Sequence, residues 1–112
     1  ALTKVRELRE EFWRDVKVVG TGNRLNQELE KAGRVADFIE LGEVMILDAL
    51  DRRESAGAHF RNEYATEAGE AKRNDGDWCA VSAWETRPDG TKVRHSEPLS
   101  FSLIDLQARD YR

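Results

Sequence analysis

At 112 residues the chain has the length of one small domain. Charged residues make up 36% of it for a net charge of −4, with both signs interspersed. There is no basic stripe to hold nucleic acid and no polybasic tail to hold a membrane surface. The longest apolar run, VMIL at 44–47, is far too short to span a bilayer. The single cysteine, Cys79, excludes an internal disulfide framework and fits a reducing cytosol.

Residues 1–18 read as an amphipathic helix. Leu2, Val5, Leu8, Phe12 and Val16 recur at steps of three and four and so share one face. Gly20 supplies a stop, and Thr21 or Asn23 is placed to cap the next helix. That helix is expected over 23–53. Leu25, Leu29, Ala32, Ala36 and Ile39 form one stripe, and Val35, Phe38, Met45, Ile46, Ala49 and Leu50 widen it. Gly33 and Gly42 each cost about 1 kcal/mol inside a helix relative to Ala. A single uninterrupted helix is nevertheless the favoured reading, antiparallel to the first across a short loop.

Residues 54–77 lose periodicity and read as a solvated loop. From Trp78 the pattern becomes strand, with Trp78, Ala80, Ser82 and Trp84 on one face. The RPDG stretch is a turn, because Pro88 presets φ and Gly90 tolerates positive φ. TKVRH returns as the partner strand, and Leu99, Phe101 and Leu103 alternate again after it. The fold class is therefore mainly α: an antiparallel helical hairpin with a small C-terminal β-hairpin. The wide apolar face of the second helix should be only partly covered by the first. A third helix, from an upstream segment or from another copy of the chain, would complete the cover.

Glu54, Ser55 and His59 raise the question of nucleophilic catalysis. A continuing helix would place Ser55 and His59 on one face, but no strand–elbow–helix context accompanies them. A structural corner built on Gly57 between Ala56 and Ala58 is the stronger reading, with Glu54 and Ser55 bonding free backbone groups. His59, His95 and one cysteine have no paired spacing for zinc. Glu40 and Glu43 lie one turn apart without a Glu-x-x-His partner and read as a solvated face. Gly20-Thr21-Gly22 lacks a preceding strand and reads as a turn, not a phosphate loop. Trp78 and Trp84 read as a packing ridge, and Cys79 as a buried small hydrophobe.

The string LNQELEKAGRVADFIELGEVMILDAL, followed by RRESAGAHFRNEYATEAGEAKRNDGDW, resembles the C-terminal domain of succinate dehydrogenase/fumarate reductase flavoprotein subunits. The motif positions are Glu54, Ser55, Gly57, His59, Phe60 and Arg61. Glu70, Lys72, Arg73, Asp75 and Asp77 follow, then Trp78 and Trp84, and the closing Tyr111-Arg112 is also similar. The resemblance covers essentially the whole chain. The family often has Arg between the Ser and the Gly, where this chain has Ala56.

The resemblance implies a helical hairpin, residues 1–61, that is part of a spectrin-repeat-like three-helix bundle. Residues 62–112 then form a loop, β-hairpin and tail. It implies a parent that interconverts succinate and fumarate with FAD, passing electrons to an iron–sulfur subunit and a quinone. The flavin-attachment histidine, dinucleotide-binding glycines and substrate arginines belong to upstream flavin and capping domains. This segment is then expected to hold no cofactor and no catalytic residue, with Glu54 to Arg61 as the corner facing the flavin domain. The expected location is the cytoplasmic face of the inner membrane, through the parent complex. The chain enters its first helix directly at Ala1, as a segment of a longer protein would, and the isolated segment is expected to form a homodimer. A stand-alone α-helical interaction module is the alternative.

Overall fold

A computed structural model describes residues 1–20 and 23–107. The chain divides into two compact units, Ala1–Leu50 and a second from Asp51 onward. The elements in order are α1 (Leu2–Asp15), α2 (Gln27–Asp51), a 3-10 turn (Asn62–Tyr64), α3 (Asp75–Trp78), β1 (Ala80–Thr86) and β2 (Lys92–Pro98). Two packed helices and an antiparallel β-hairpin are thus present, as the periodicity implied.

In the first unit α1 ends earlier than residue 18. Val16 is already extended, with φ −70° and ψ 122°. Val16, Val18 and Val19 are β-branched and lose side-chain freedom in a helix, so the run that begins at Val16 favours an extended exit. Gly20 sits further on at φ 115°, and a Cβ there would lie 2.7 Å from Asn26 Nδ2. Only glycine fits that approach.

Asn23 does not open α2. Thr21 lies outside the described residues, and Asn23 precedes the helix by four positions. Asn26 is the cap: its Oδ1 accepts from the backbone N–H of Glu28 (3.1 Å) and Leu29 (3.3 Å), while its Nδ2 donates to the Val19 carbonyl (2.9 Å). Glu28 and Glu30 in the first turn complement the helix dipole. The helix then runs unbroken for 25 residues through Gly33 and Gly42. A Cβ at Gly42 would meet Val5 Cγ2 at 3.9 Å, an ordinary contact.

The helices are antiparallel. Arg6 pairs with Glu43 and Arg9 with Glu40, whereas Phe12 and Trp13 share a cavity with Leu29 and Ala32. Among the described residues no apolar side chain is buried; the buried residues are Glu43, Glu54 and Ser55. Glu43 is only 3% exposed, which overturns its assignment to a solvated face. Val35, Phe38, Leu41 and Met45 remain exposed, so the partial cover expected for α2 is what the fold shows.

The second unit is more ordered over 54–77 than a solvated loop. Ala56 and His59 exchange backbone hydrogen bonds of 2.9 and 3.1 Å, and Ala65 bridges Ala71. Trp78 belongs to α3, not to the strand, so it forms no strand-face ridge with Trp84. Its indole face instead carries the Arg94 guanidinium, 4.9 Å from the ring centre. β1 pairs with β2 from Ala80↔Pro98 to Thr86↔Lys92. Ala80, Ser82 and Trp84 are half-buried while Val81 and Ala83 are exposed, as the alternation required.

The turn between the strands is the expected one. Arg87 and Thr91 are joined by a 2.9 Å backbone bond, and Gly90 takes φ 83°. No strand follows among the described residues. Leu99 bonds only the Cys79 carbonyl (3.0 Å), and Leu103 is exposed, because the alternating pattern finds no ladder to join. Cys79 is half-buried rather than buried. Tyr111 and Arg112 lie outside the described residues.

Candidate functional site

The RESAGAHFR stretch, which follows α2 in the chain, folds into a knot within the second unit. Ser55 is fully buried, and its hydroxyl bonds one residue twice: Oγ accepts from the Arg61 N–H (2.9 Å) and donates to the Arg61 carbonyl (3.2 Å). The Ser55 N–H donates to the Lys72 carbonyl (3.0 Å). Between Ser55 and Arg61 the chain reverses through Ala56–His59, with Gly57 at φ 58° making the turn. That left-handed conformation costs any residue with a Cβ, which explains glycine there.

Glu54, 2% exposed, has a partner for each carboxylate oxygen. Oε1 accepts from Arg52 Nε (2.9 Å), and Oε2 from the backbone N–H of Asn74 (2.9 Å). A buried carboxylate without such partners would be costly; paired in this way it pins two segments twenty residues apart. Asn74 also caps α3, its side chain accepting from the Asp77 N–H.

His59 and Arg61 converge on a different group. Arg61 Nη1 donates to the Arg52 carbonyl (3.0 Å), and His59 Nε2 lies 3.3 Å from the same oxygen. Arg52 directly follows the last residue of α2 in the chain. Arg61 also covers the Tyr64 ring at 5.3 Å and reaches Glu63. The Glu63 carboxyl is held below its ordinary value, first by its own backbone N–H and then by the Arg61 side chain. Phe60 is half-exposed.

The six motif residues are therefore brought together, but not as a catalytic set. Ser55 Oγ is committed to the Arg61 backbone and His59 to the Arg52 carbonyl, so no hydroxyl–imidazole pair forms. Among the described residues no group of three His, Cys, Asp or Glu side chains is placed to hold a metal ion. Sequence reasoning missed Arg52, Lys72 and Asn74 as the partners of the knot. Asn74 carried a usable signal, since Asn before Asp-Gly-Asp reads as a cap. The Lys72 carbonyl is a main-chain group and carries no side-chain signature.

Beside the knot lies an open cleft of about 460 Å³ lined by Asp51, Arg53, Tyr64, Asn74, Asp77, Trp78 and Arg94. Across it Arg94 Nε lies 2.7 Å from Asp51 Oδ2, an ion pair within the second unit.

Sequence comparison with known proteins covers the chain along its length. The family described as fumarate reductase flavoprotein C-term matches residues 1–111. The succinate dehydrogenase flavoprotein subunit of Bacillus subtilis (strain 168) is 28% identical over 109 residues, which is 96% of this chain and 17% of that protein. The chain thus spans about one sixth of the length of that relative. With the family matched from Ala1 to Tyr111, the chain belongs to the C-terminal domain family of fumarate reductase/succinate dehydrogenase flavoproteins.

Proposed function

We propose that this chain is the C-terminal structural and interface domain of an FAD-dependent succinate dehydrogenase or fumarate reductase flavoprotein. The observation that carries this reading is the Glu54–Ser55 knot. Its buried polar atoms are spent on holding backbone segments together, which suits a brace rather than a reaction centre. The corner Glu54, Ser55, Gly57, His59, Phe60 and Arg61 then faces the flavin domain, with Phe60 supplying exposed apolar surface. The FAD, the capping domain, the substrate site and the contact with an iron–sulfur subunit lie elsewhere in the parent. The hairpin 1–61 is part of a three-helix, spectrin-repeat-like bundle, followed by the β-hairpin and tail of 62–112. No helix among the described residues is long and apolar enough to cross a membrane. Location at the cytoplasmic face of the inner membrane would therefore come through the parent complex.

The purified chain should be colourless and inert toward succinate with an artificial electron acceptor. A flavin absorption band that survives dialysis would overturn the brace reading, because catalysis of this class needs a bound and oriented isoalloxazine. The exposed stripe of α2 gives a second reading some ground, a stand-alone helical interaction module. A coding region that continues upstream into a dinucleotide-binding domain decides for the first; one that begins here decides for the second.

A further inference from the structure

We propose that α1 is a detachable strap, and that Glu43 is the latch that fastens it to α2. The starting observation is what α1 lacks: none of its residues is buried. Leu2, Val5 and Phe12 are half-buried against α2, while Leu8, Trp13 and Val16 remain exposed. A helix docked by apolar burial would show the reverse, a stripe removed from water. Among the described residues of the unit the one buried is instead a carboxylate. Glu43 Oε1 accepts from Arg6 Nε at 2.7 Å, and its other oxygen accepts from Arg9 Nη1. Arg9 also reaches Glu40, 3.4 Å away on the same face of α2. The charged groups facing Glu43 are therefore Arg6 and Arg9 from α1, with Glu40 beside it on α2.

Two further features make the strap separable. The loop before α2 is anchored independently, by Asn26 Nδ2 on the Val19 carbonyl, so the start of α2 does not depend on α1 staying docked. Arg6 and Arg9 are 48% and 31% exposed and Glu43 is buried beside them, so release returns all three charges to water and relieves the desolvation of the carboxylate. A free helix of 14 residues is marginal in water. Release therefore means that α1 unfolds while α2 and the knot persist. It uncovers Ala32, Ala36 and Ile39 beside the already exposed Val35, Phe38 and Met45. α2 then offers a wider apolar face than it does with α1 docked.

Native-state hydrogen exchange at one fixed pH tests this in the full chain. In Glu43→Gln the amides of α1, Val5 and Val16 among them, should exchange at least ~10-fold faster, the scale of a lost charge-assisted bond. Those of Ser55 and Lys72 in the knot should keep their rates. The double variant Arg6→Gln/Arg9→Gln should reproduce this from the strap side, while Glu40→Gln should barely move it. Unchanged α1 exchange in both latch variants would overturn the proposal. So would a loss of protection in α1, α2 and the knot together, since that makes α1 part of one cooperative unit.

Discussion

Ser55 and Arg61 are joined in both directions, one hydroxyl accepting the N–H and donating to the carbonyl of the same residue six positions on. A single oxygen thus bonds both main-chain groups of Arg61, whose carbonyl also accepts from the Tyr64 N–H (2.9 Å), inside a corner where Ser55 itself has no contact with water.

Ser55→Ala removes that oxygen and leaves the Arg61 N–H without its partner in a confined site, while the Arg61 carbonyl keeps the Tyr64 N–H (2.9 Å). Such a loss costs about 1–3 kcal/mol. Urea unfolding of the variant should show a lower midpoint at an unchanged slope. A change inside about 0.5 kcal/mol, the range of an ordinary surface substitution, would mean that water reaches the Arg61 backbone and that the knot holds little.

Gly57→Ala isolates a backbone effect. Nothing lies within 4 Å of a Cβ built at Gly57, so there is no clash to relieve, only the φ of 58°. The expected loss is about 1–2 kcal/mol. Gly57→Asn should lose less than Gly57→Ala, since Asn tolerates the left-handed region better. Equal stability of the Ala variant and the parent would show that the turn can flip to another conformation without cost.

The sequence made the helices and the hairpin turn visible because each rests on a short-range rule. The steps of three and four in α1, the alternation from Ala80 to Trp84, and Pro88 with Gly90 are all local. What it hid is non-local or main-chain. Glu43 looked like a surface carboxylate because Arg6 and Arg9 are more than thirty residues away in the chain. Residues 54–77 looked like a loop because their order comes from backbone pairing, such as Ser55 to Lys72 and Tyr64 to Lys72, which no side chain announces. Trp78 looked like strand, but the Asn74 cap pulls it into the last position of a one-turn helix. The motif residues themselves were legible through family resemblance. Their partners Arg52, Lys72 and Asn74 needed coordinates.

The exposed stripe of α2 should make the isolated chain self-associate. Phe38 and Met45 are 66% and 64% exposed and seven residues apart, so they lie on one face with Val35. Contiguous apolar surface of this kind is uncommon on a monomer. Light scattering at rising concentration should show a dimer, and Phe38→Glu with Met45→Lys should shift it to monomer without loss of helical signal. A parent chain that stays monomeric at high concentration would contradict the inference that this face needs cover.

Acid should weaken the first unit through Glu43 in particular. Burial by itself would raise the Glu43 pKa, but the Arg6 hydrogen bond and the charges of Arg9 and Arg6 outweigh it. The carboxyl ends below its ordinary value of 4.5. A group depressed in the folded state contributes stability that is complete above its unfolded pKa and disappears as pH falls through the folded one. The window therefore opens at about pH 4.5 and extends downward, and neutral pH lies on the plateau. Glu43→Leu should flatten that acid limb and leave neutral stability within about 1–2 kcal/mol of the parent, because Arg6 and Arg9 can turn to solvent and the leucine fills the site. Arg6→Gln/Arg9→Gln should be costlier, about 3 kcal/mol at neutral pH, since it strands a buried anion. Urea midpoints for the three proteins between pH 3 and 7 check the ordering, on the assumption that the slopes match. A Glu43→Leu variant that keeps the full acid limb would assign the loss to other carboxylates.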